Sequence, residues 1–421
     1  MRLQVFSIRC CAFAVLAVML FSSVRSTSQE TPIFSFYSSY FDALPKGPLA
    51  ADAAGNLYGT TFYGGAYGNG MVYELTPKAA GWTQTVLHSF SPDGVDGFAP
   101  TSGIIFDSAG NIFGTTQFGG SGSCTNGFGC GTIFELTPAG GGIWKETILH
   151  NFAGNDGWEI HPGLIMDGTG NLFGMATNGG THNNGTVFEL SPSAGSWTLT
   201  VLHQFTGGSD GGVPYDGLTL DAAGNLYGTT SAGGGKSAAC RYGCGVVFKL
   251  SRGSSGTWTE SVLHNFSTSA ADGSIPSSKV IFDAAGNLYG TASSGGGSMN
   301  AGIVFKLTPT SSGTWTETVL HNFSQHKGDG VYPGTTLTFD AAGNLYGVTL
   351  GGGTHGSGTA FRLSPTASGA WTETILGSFS RQGAGGYFPN GPLMLGADGN
   401  LYGVAASGGR NGQGTVFYLA P

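Results

Sequence analysis

One five-residue string recurs along the chain and fixes what it can fold into. Gly-Asn-Leu-Tyr-Gly or a close variant starts at Gly55, Gly110, Gly170, Gly224, Gly286, Gly343 and Gly399, with successive Asn residues 55, 60, 54, 62, 57 and 56 positions apart. A self-similar period of about 57 residues with loops of varying length is the signature of a repeat architecture. The 421 residues therefore read as one array, not as the two or three domains that length alone would suggest.

Each unit carries three further segments. A short apolar run ending in Asp precedes the string, as in Gly217 to Asp221. G-x-V-F-x-L-[TS]-P follows it, as at Gly131 to Pro138. W-x-x-T/S-[VI]-L-H-x-F then starts at Trp82, Trp144, Trp197, Trp258, Trp315 and Trp371. All four are short, rich in β-branched and aromatic residues, and bounded by Gly, Pro, Asn or Ser, so all four read as strands. No segment after residue 26 has a helical period. Four antiparallel strands repeated seven times predict an all-β, seven-bladed propeller. The alternative is an open β-solenoid, and the phase of the ends separates the two. The chain stops at Leu419-Ala420-Pro421 after a third strand, and a lone strand near Ile33 to Ser38 precedes the first unit. Residues 33–38 are expected to complete the blade formed by residues 391–421 and close the ring.

Composition agrees with this plan. There are 77 Gly, 28 Phe, 15 Tyr and 7 Trp, with 10% charged residues. The aromatics exclude a disordered chain, and Gly without a three-residue period excludes collagen. A net charge of -8 with no basic stripe argues against nucleic acid as a partner. Residues 1–26 run from Met1 and Arg2 through an apolar stretch, Cys10 to Phe21, to small residues and read as a signal peptide, leaving 27–421 as one propeller domain. No stretch is long enough for a membrane span. Removing Arg2, Arg9 and Arg25 leaves 13 basic against 24 acidic residues. Four later cysteines form two close pairs, Cys124 with Cys130 and Cys240 with Cys244, expected as local disulfides in an oxidising compartment.

Several recurrent polar residues read as scaffolding. Asp52, Asp107, Asp167, Asp221, Asp283 and Asp340 each stand three residues before Gly-Asn, where Asp caps a tight turn. In unit seven Gly396 takes this place and Asp398 shifts, so a different bond pattern is expected there. Calcium is a weaker reading of these six carboxylates. In the fourth strand, strict alternation would put Trp258, Glu260, Val262, His264 and Phe266 on one side. His88, His150, His203, His264 and His321 are equivalent and lie on outermost strands far apart, so blade packing is expected of them and no metal site is assigned. The repeat Trp residues are read as rim packing between blades.

Residues that break the consensus are the candidates for a site, because folding does not require them there. On the face that carries the second-to-third and fourth-to-first connections these are Trp158, Glu159, His161, His182, Tyr215, Asp216, Arg241, Tyr242, His355, and Tyr387 beside Phe388. Aromatics next to a few polar groups suit stacking on a sugar ring or another polar organic ligand. No nucleophile elbow, H-E-x-x-H or phosphate loop is present, but a pair of carboxylates has no sequence spacing rule.

The string D-A-A-G-N-L-Y-G-T-T, then G-T-V-F-E-L-T-P, then W-T-E-T-V-L-H-N-F, resembles the GloVer (Gloeobacter and Verrucomicrobia) tandem repeat of secreted bacterial proteins. The resemblance covers residues 33 to 421 and implies export, a propeller-like β-repeat and often a C-terminal anchoring segment. This chain stops at Pro421 without an apolar tail, so a soluble, monomeric periplasmic or extracellular protein is expected. The leading reading is a binding or interaction module for a carbohydrate or an extracellular protein. The alternative is a hydrolase, lyase or lactonase using carboxylates near the central channel, with calcium as its one candidate cofactor.

Overall fold

The computed structural model describes residues 30–37, 43–124, 127–161, 163–235, 240–267, 269, 272–297 and 299–421. The expected signal peptide lies outside them. Every element among the described residues is a β-strand. Seven antiparallel sheets follow one another as the blades of a propeller. Blade 4 shows the plan: Thr219–Leu220 is innermost, followed outward by Leu226–Thr230, Val246–Arg252 and Trp258–Asn265. The innermost strand is shorter than its motif suggests. It has two residues in blades 3 and 4, and in blades 2 and 5 to 7 it is broken in two, as in Gly273–Pro276 and Ile281–Phe282. The strand that closes the ring is Thr31–Ser35, two residues ahead of the expected start, pairing antiparallel with Thr415–Leu419.

The outer strand does not keep strict alternation. In blade 4 Phe248 pairs with Val262 but Val247 pairs with His264, so Leu263 is an extra residue in a β-bulge. The same bulge recurs in the other six blades. A one-residue insertion flips the faces beyond it. Trp258 therefore meets Phe173 in the preceding blade, while Phe266 meets Phe305 in the following one. This corrects the expectation that Trp258, Glu260, His264 and Phe266 share a side. The Trp residues do pack between blades, Trp82 against Tyr402 and Trp371 against Tyr289 being further cases.

Every interface between blades holds an edge-to-face aromatic pair at the same position. The pairs are Phe90 with Phe134, Phe152 with Phe188, Phe205 with Phe248, Phe266 with Phe305, Phe323 with Phe361, Phe379 with Phe417, and Phe36 with Tyr73. Their centroids are 5.0 to 5.3 Å apart, and the rings are buried. Burial of each Phe is worth about 1.5–3 kcal/mol, and the edge-to-face geometry adds about 1. The seventh pair joins the N-terminal segment to blade 1 and makes ring closure equivalent to any other interface.

The recurrent string now has a packing reason. A Cβ on its second Gly would lie 2.5 to 2.7 Å from the aromatic ring on the neighbouring strand, as for Gly114 on Phe134 and Gly228 on Phe248. Its first Gly serves the turn: Gly55 has φ of 82°. Asp52 Oδ1 accepts from Ala54 N and Asn56 N, and its Oδ2 accepts from Asn56 Nδ2 and the Tyr58 hydroxyl. In blade 7 Asp398 reaches the same Asn and Tyr types, Asn400 and Tyr402, from two residues closer.

Two stability measurements follow. Gly228→Ala should cost about 2 kcal/mol in urea unfolding, with most of it regained in Gly228→Ala/Phe248→Leu, because overpacking is relieved by trimming the ring it strikes. Tyr73 carries the one hydroxyl in the seven pairs, and that oxygen is buried without a partner among the described residues. Tyr73→Phe should raise stability by about 1 kcal/mol, and a loss would show that the hydroxyl is hydrogen-bonded.

Candidate functional site

The connections that enter each blade build the mouth of the channel. The residue before the recurrent Pro is left-handed although it is not Gly: Ala99, Val213, Ile275, Tyr332 and Phe388 have φ of 57, 57, 58, 60 and 56°. Such a conformation costs of order 1–3 kcal/mol and persists only where its surroundings fix it. Here each N–H donates to a carbonyl of the preceding blade: Asn69, Asn184, Cys244, Ala301 and Ser357, at 2.8 to 3.1 Å. The Pro itself fills the space over a Gly of that blade, Pro214 over Gly185 and Pro45 over Gly414. The turn locks consecutive blades and turns the Tyr332 and Phe388 side chains to the cavity at the mouth.

That cavity is about 640 Å³ and takes residues from all seven blades, among them Lys46, Ser102, His161, Tyr215, Asp216, Tyr332, Phe388 and Asn390. Four of the sequence-derived candidates meet here, His161, Tyr215, Asp216 and Phe388. His161 stacks on Tyr215 with centroids 5.1 Å apart and planes at 24°. Gln117 Nε2 donates to His161 Nε2 at 3.0 Å, which makes the ring a neutral Nδ1–H tautomer. Burial, together with the nearby charge of Lys46, pushes the imidazole down to about 4. Asp216 ties three blades together. Its Oδ1 accepts from Gly217 N, and its Oδ2 accepts from Lys279 N and Thr336 Oγ1, each at 2.7 or 2.8 Å. A second cavity of about 480 Å³ shares Asp216 and is lined further by Lys279 and Thr336. Burial lowers Lys46 and Lys279 from the ordinary amine range, Asp216 opposing the shift at Lys279.

The other candidates sit outside this lining. Glu159 accepts from Asn178 Nδ2 at 2.7 Å, and burial raises its carboxyl above the usual range. Trp158 Nε1 donates to Asn183 Oδ1. His182 and His355 are exposed, each bonded to the hydroxyl of the Thr before it. Arg241 stands over Tyr242 beside the Cys240–Cys244 disulfide, and Arg381 over Tyr387. Cys124–Cys130 is the second disulfide. Lys46, Tyr332 and Asn390 were not singled out from the sequence. Tyr332 puts a bulky aromatic directly before Pro333, where Ala99, Val213 and Ile275 precede the equivalent Pro of other blades, and that was the available signal.

A second set of polar groups lies between outer strands. Past the bulge the histidines face the next blade, where His88, His264 and His321 meet the Asp of the connecting turn and the Glu two residues after the next Trp, while His150 and His203 pair with the Asp alone. His88 Nε2 is 3.3 Å from Asp96 and 3.5 Å from Glu146. His264 meets Asp272 and Glu317, and His321 meets Asp329 and Glu373. Burial pushes Glu146 up to about 8 and Glu317 and Glu373 to about 7; the histidines oppose the shift and the facing Asp carboxylates add to it. The histidine rings also pack edge-on against the Phe two residues on, as His88 does on Phe90. The expectation of blade packing thus captured half of their surroundings.

Among solved structures the fold has distant counterparts. PorZ, an essential bacterial surface component of the type-IX secretion system of Porphyromonas gingivalis, superposes with a TM-score of 0.53 at 15% identity over 91% of this chain. This chain spans about half of PorZ, 48% of its length. A candidate 6-phosphogluconolactonase from Bacteroides uniformis gives 0.48 at 14% identity, covering 77% of this chain and 83% of the other. A protein of unknown function from Dyadobacter fermentans gives 0.42 at 11% over 82% and 96%. At these identities the likeness is one of fold. No curated protein matches the sequence. The Gloeobacter/Verrucomicrobia repeat model matches residues 17–240 and 236–421, and with the seven-bladed ring built from that repeat, the chain belongs to the Gloeobacter/Verrucomicrobia repeat family.

Proposed function

We propose that the protein is an exported binding propeller that takes a carbohydrate at the mouth of its central channel. The observation that carries this reading is the meeting of exposed aromatic faces with convergent polar groups on one rim. Tyr215, Tyr332 and Phe388 are 49, 46 and 38% exposed, beside Lys46, His161, Asp216 and Asn390. Sugars offer apolar C–H faces for stacking and hydroxyls for fixed donors and acceptors. A cavity of about 640 Å³ is of the size that small ligands occupy. Two short-range disulfides suit an oxidising compartment, which supports a periplasmic or extracellular setting.

Binding is favoured over hydrolysis by the carboxylate count. A paired-carboxylate mechanism needs two groups about 5–10 Å apart. Asp216 is the one carboxylate lining the cavity among the described residues, and three donors already engage it.

On a glycan array, Tyr215→Ala should weaken the wild-type signal at least about tenfold while leaving the melting temperature nearly unchanged, since half the ring is in solvent. A wild-type array without signal would replace the carbohydrate by a protein ligand. His161 gives a pH signature. Its folded pKa lies below the unfolded value of about 6.5, so the unfolded state holds the extra proton between about pH 6.5 and 4, and stability is lost as pH falls through that window. Relative to wild type, His161→Gln should gain on the order of 2 kcal/mol between pH 7 and 4 in denaturant unfolding; parallel curves would place a protonated His161 in the folded mouth.

A further inference from the structure

The three outer clusters combine one imidazole and two carboxylates from consecutive blades, and we propose that His88/Asp96/Glu146, His264/Asp272/Glu317 and His321/Asp329/Glu373 are zinc sites that clip blades 1 to 2, 4 to 5 and 5 to 6. In each cluster one ligand atom per residue lies within 4.8 Å of the other two. Zn²⁺ takes His N and carboxylate O at about 2.0–2.2 Å, so two ligands of one ion stand roughly 3.3–3.9 Å apart over the angles of a tetrahedral to distorted site. The His–Asp separations are 3.3, 3.3 and 3.9 Å and the His–Glu separations 3.5, 3.8 and 3.6 Å.

The ring contains its own comparison. Between blades 2 and 3 the glutamate position is Leu199, and there His150 closes on Asp156 to 2.8 Å, an ordinary hydrogen bond. Where Glu146, Glu317 and Glu373 take that position the imidazole stands 3.3 to 3.9 Å from both carboxylates; between blades 3 and 4 Glu260 is present, but His203 meets only Asp210, at 3.6 Å, and no site is assigned there. In the third cluster the facing atoms His321 Nε2 and Glu373 Oε1 have no hydrogen-bond partner among the described residues; in the first two, Asp96 Oδ1, Glu146 Oε1 and Glu317 Oε1 are left over, each the second oxygen of a carboxylate in the cluster. Buried polar atoms without partners are costly, and a cation satisfies several at once.

The surroundings are those of a held ligand set. Asp272 Oδ2 accepts from Ser267 N and Oγ and its Oδ1 from Gly273 N, and Asp329 is held in the same way by Ser324 and Gly330. Such bonds orient a ligating carboxylate. The Phe two residues on fixes each imidazole ring. The histidines are 18 to 19% exposed, which leaves a fourth coordination position to water. Imidazole in the set selects zinc over calcium, which prefers six to eight oxygens.

The test is metal content and melting temperature of the full chain after chelator treatment and reloading with Zn²⁺. Three equivalents are expected per chain, with a rise in melting temperature of at least about 3 °C. Glu317→Gln, close to isosteric, should bind one equivalent fewer, and Leu199→Glu should add one beside His150 and Asp156. Fewer than one equivalent in wild type, a stoichiometry indifferent to both substitutions, or stabilisation by Ca²⁺ and not Zn²⁺ would each overturn the assignment.

Discussion

The edge-to-face aromatic pair between consecutive blades is the contact on which the ring depends. It has a local cause: the bulge in each outer strand flips the chain so that the residues before it face the blade behind and those after it face the blade ahead. One strand therefore serves two interfaces. Its Trp closes on the preceding blade and its Phe on the following one. The ring it meets on the following blade stands over a Gly of its own blade that cannot be enlarged, so the receiving ring is held in place, and seven such steps bring the first strand beside the last.

The same device shapes the two regions that carry chemistry. At the inner end, blade spacing sets the hydrogen bonds from left-handed residues such as Tyr332 and Phe388 to the carbonyls of the blade behind. Those bonds present the aromatics that line the mouth. At the outer end, the bulge turns His264 forward to Asp272 and Glu317 rather than back beside Glu260. Charge is scarce because most strand surface meets another blade, and apart from the turn carboxylates such as Asp52 these two ends hold its main clusters.

What could be read from the sequence was what is local and repeated. The turn built on Asp52 and Asn56 lies within five residues, and its recurrence counted the blades. Even the exception, Asp398, was visible as a shift of register. The closing strand was legible from the phase of the chain ends, although its bounds moved by two residues. The mouth was legible in part: His161, Tyr215, Asp216 and Phe388 broke the consensus and converge. Lys46 and Asn390 escaped because nothing in one repeat marks a residue that faces six others across a channel. The histidine clusters escaped because a bulge has no sequence signature here, so alternation placed Glu260 and His264 on one side. Their partners come from a different repeat.

The central claim is that the ring is closed by an interface of the same strength as the others, with Phe36 on Tyr73 standing where the other six pairs stand. Amide hydrogen exchange resolved by residue tests this most directly. The amides of Thr31–Ser35 and Thr415–Leu419 that bond across the closing ladder, and that of Phe36, bonded to Gly414 O, should exchange with the same free energy as those of Val246–Arg252 in the middle of the ring, because all open only when the ring does. Exchange of the terminal strands several kcal/mol below that value would show a strap that frays independently, and would contradict the account.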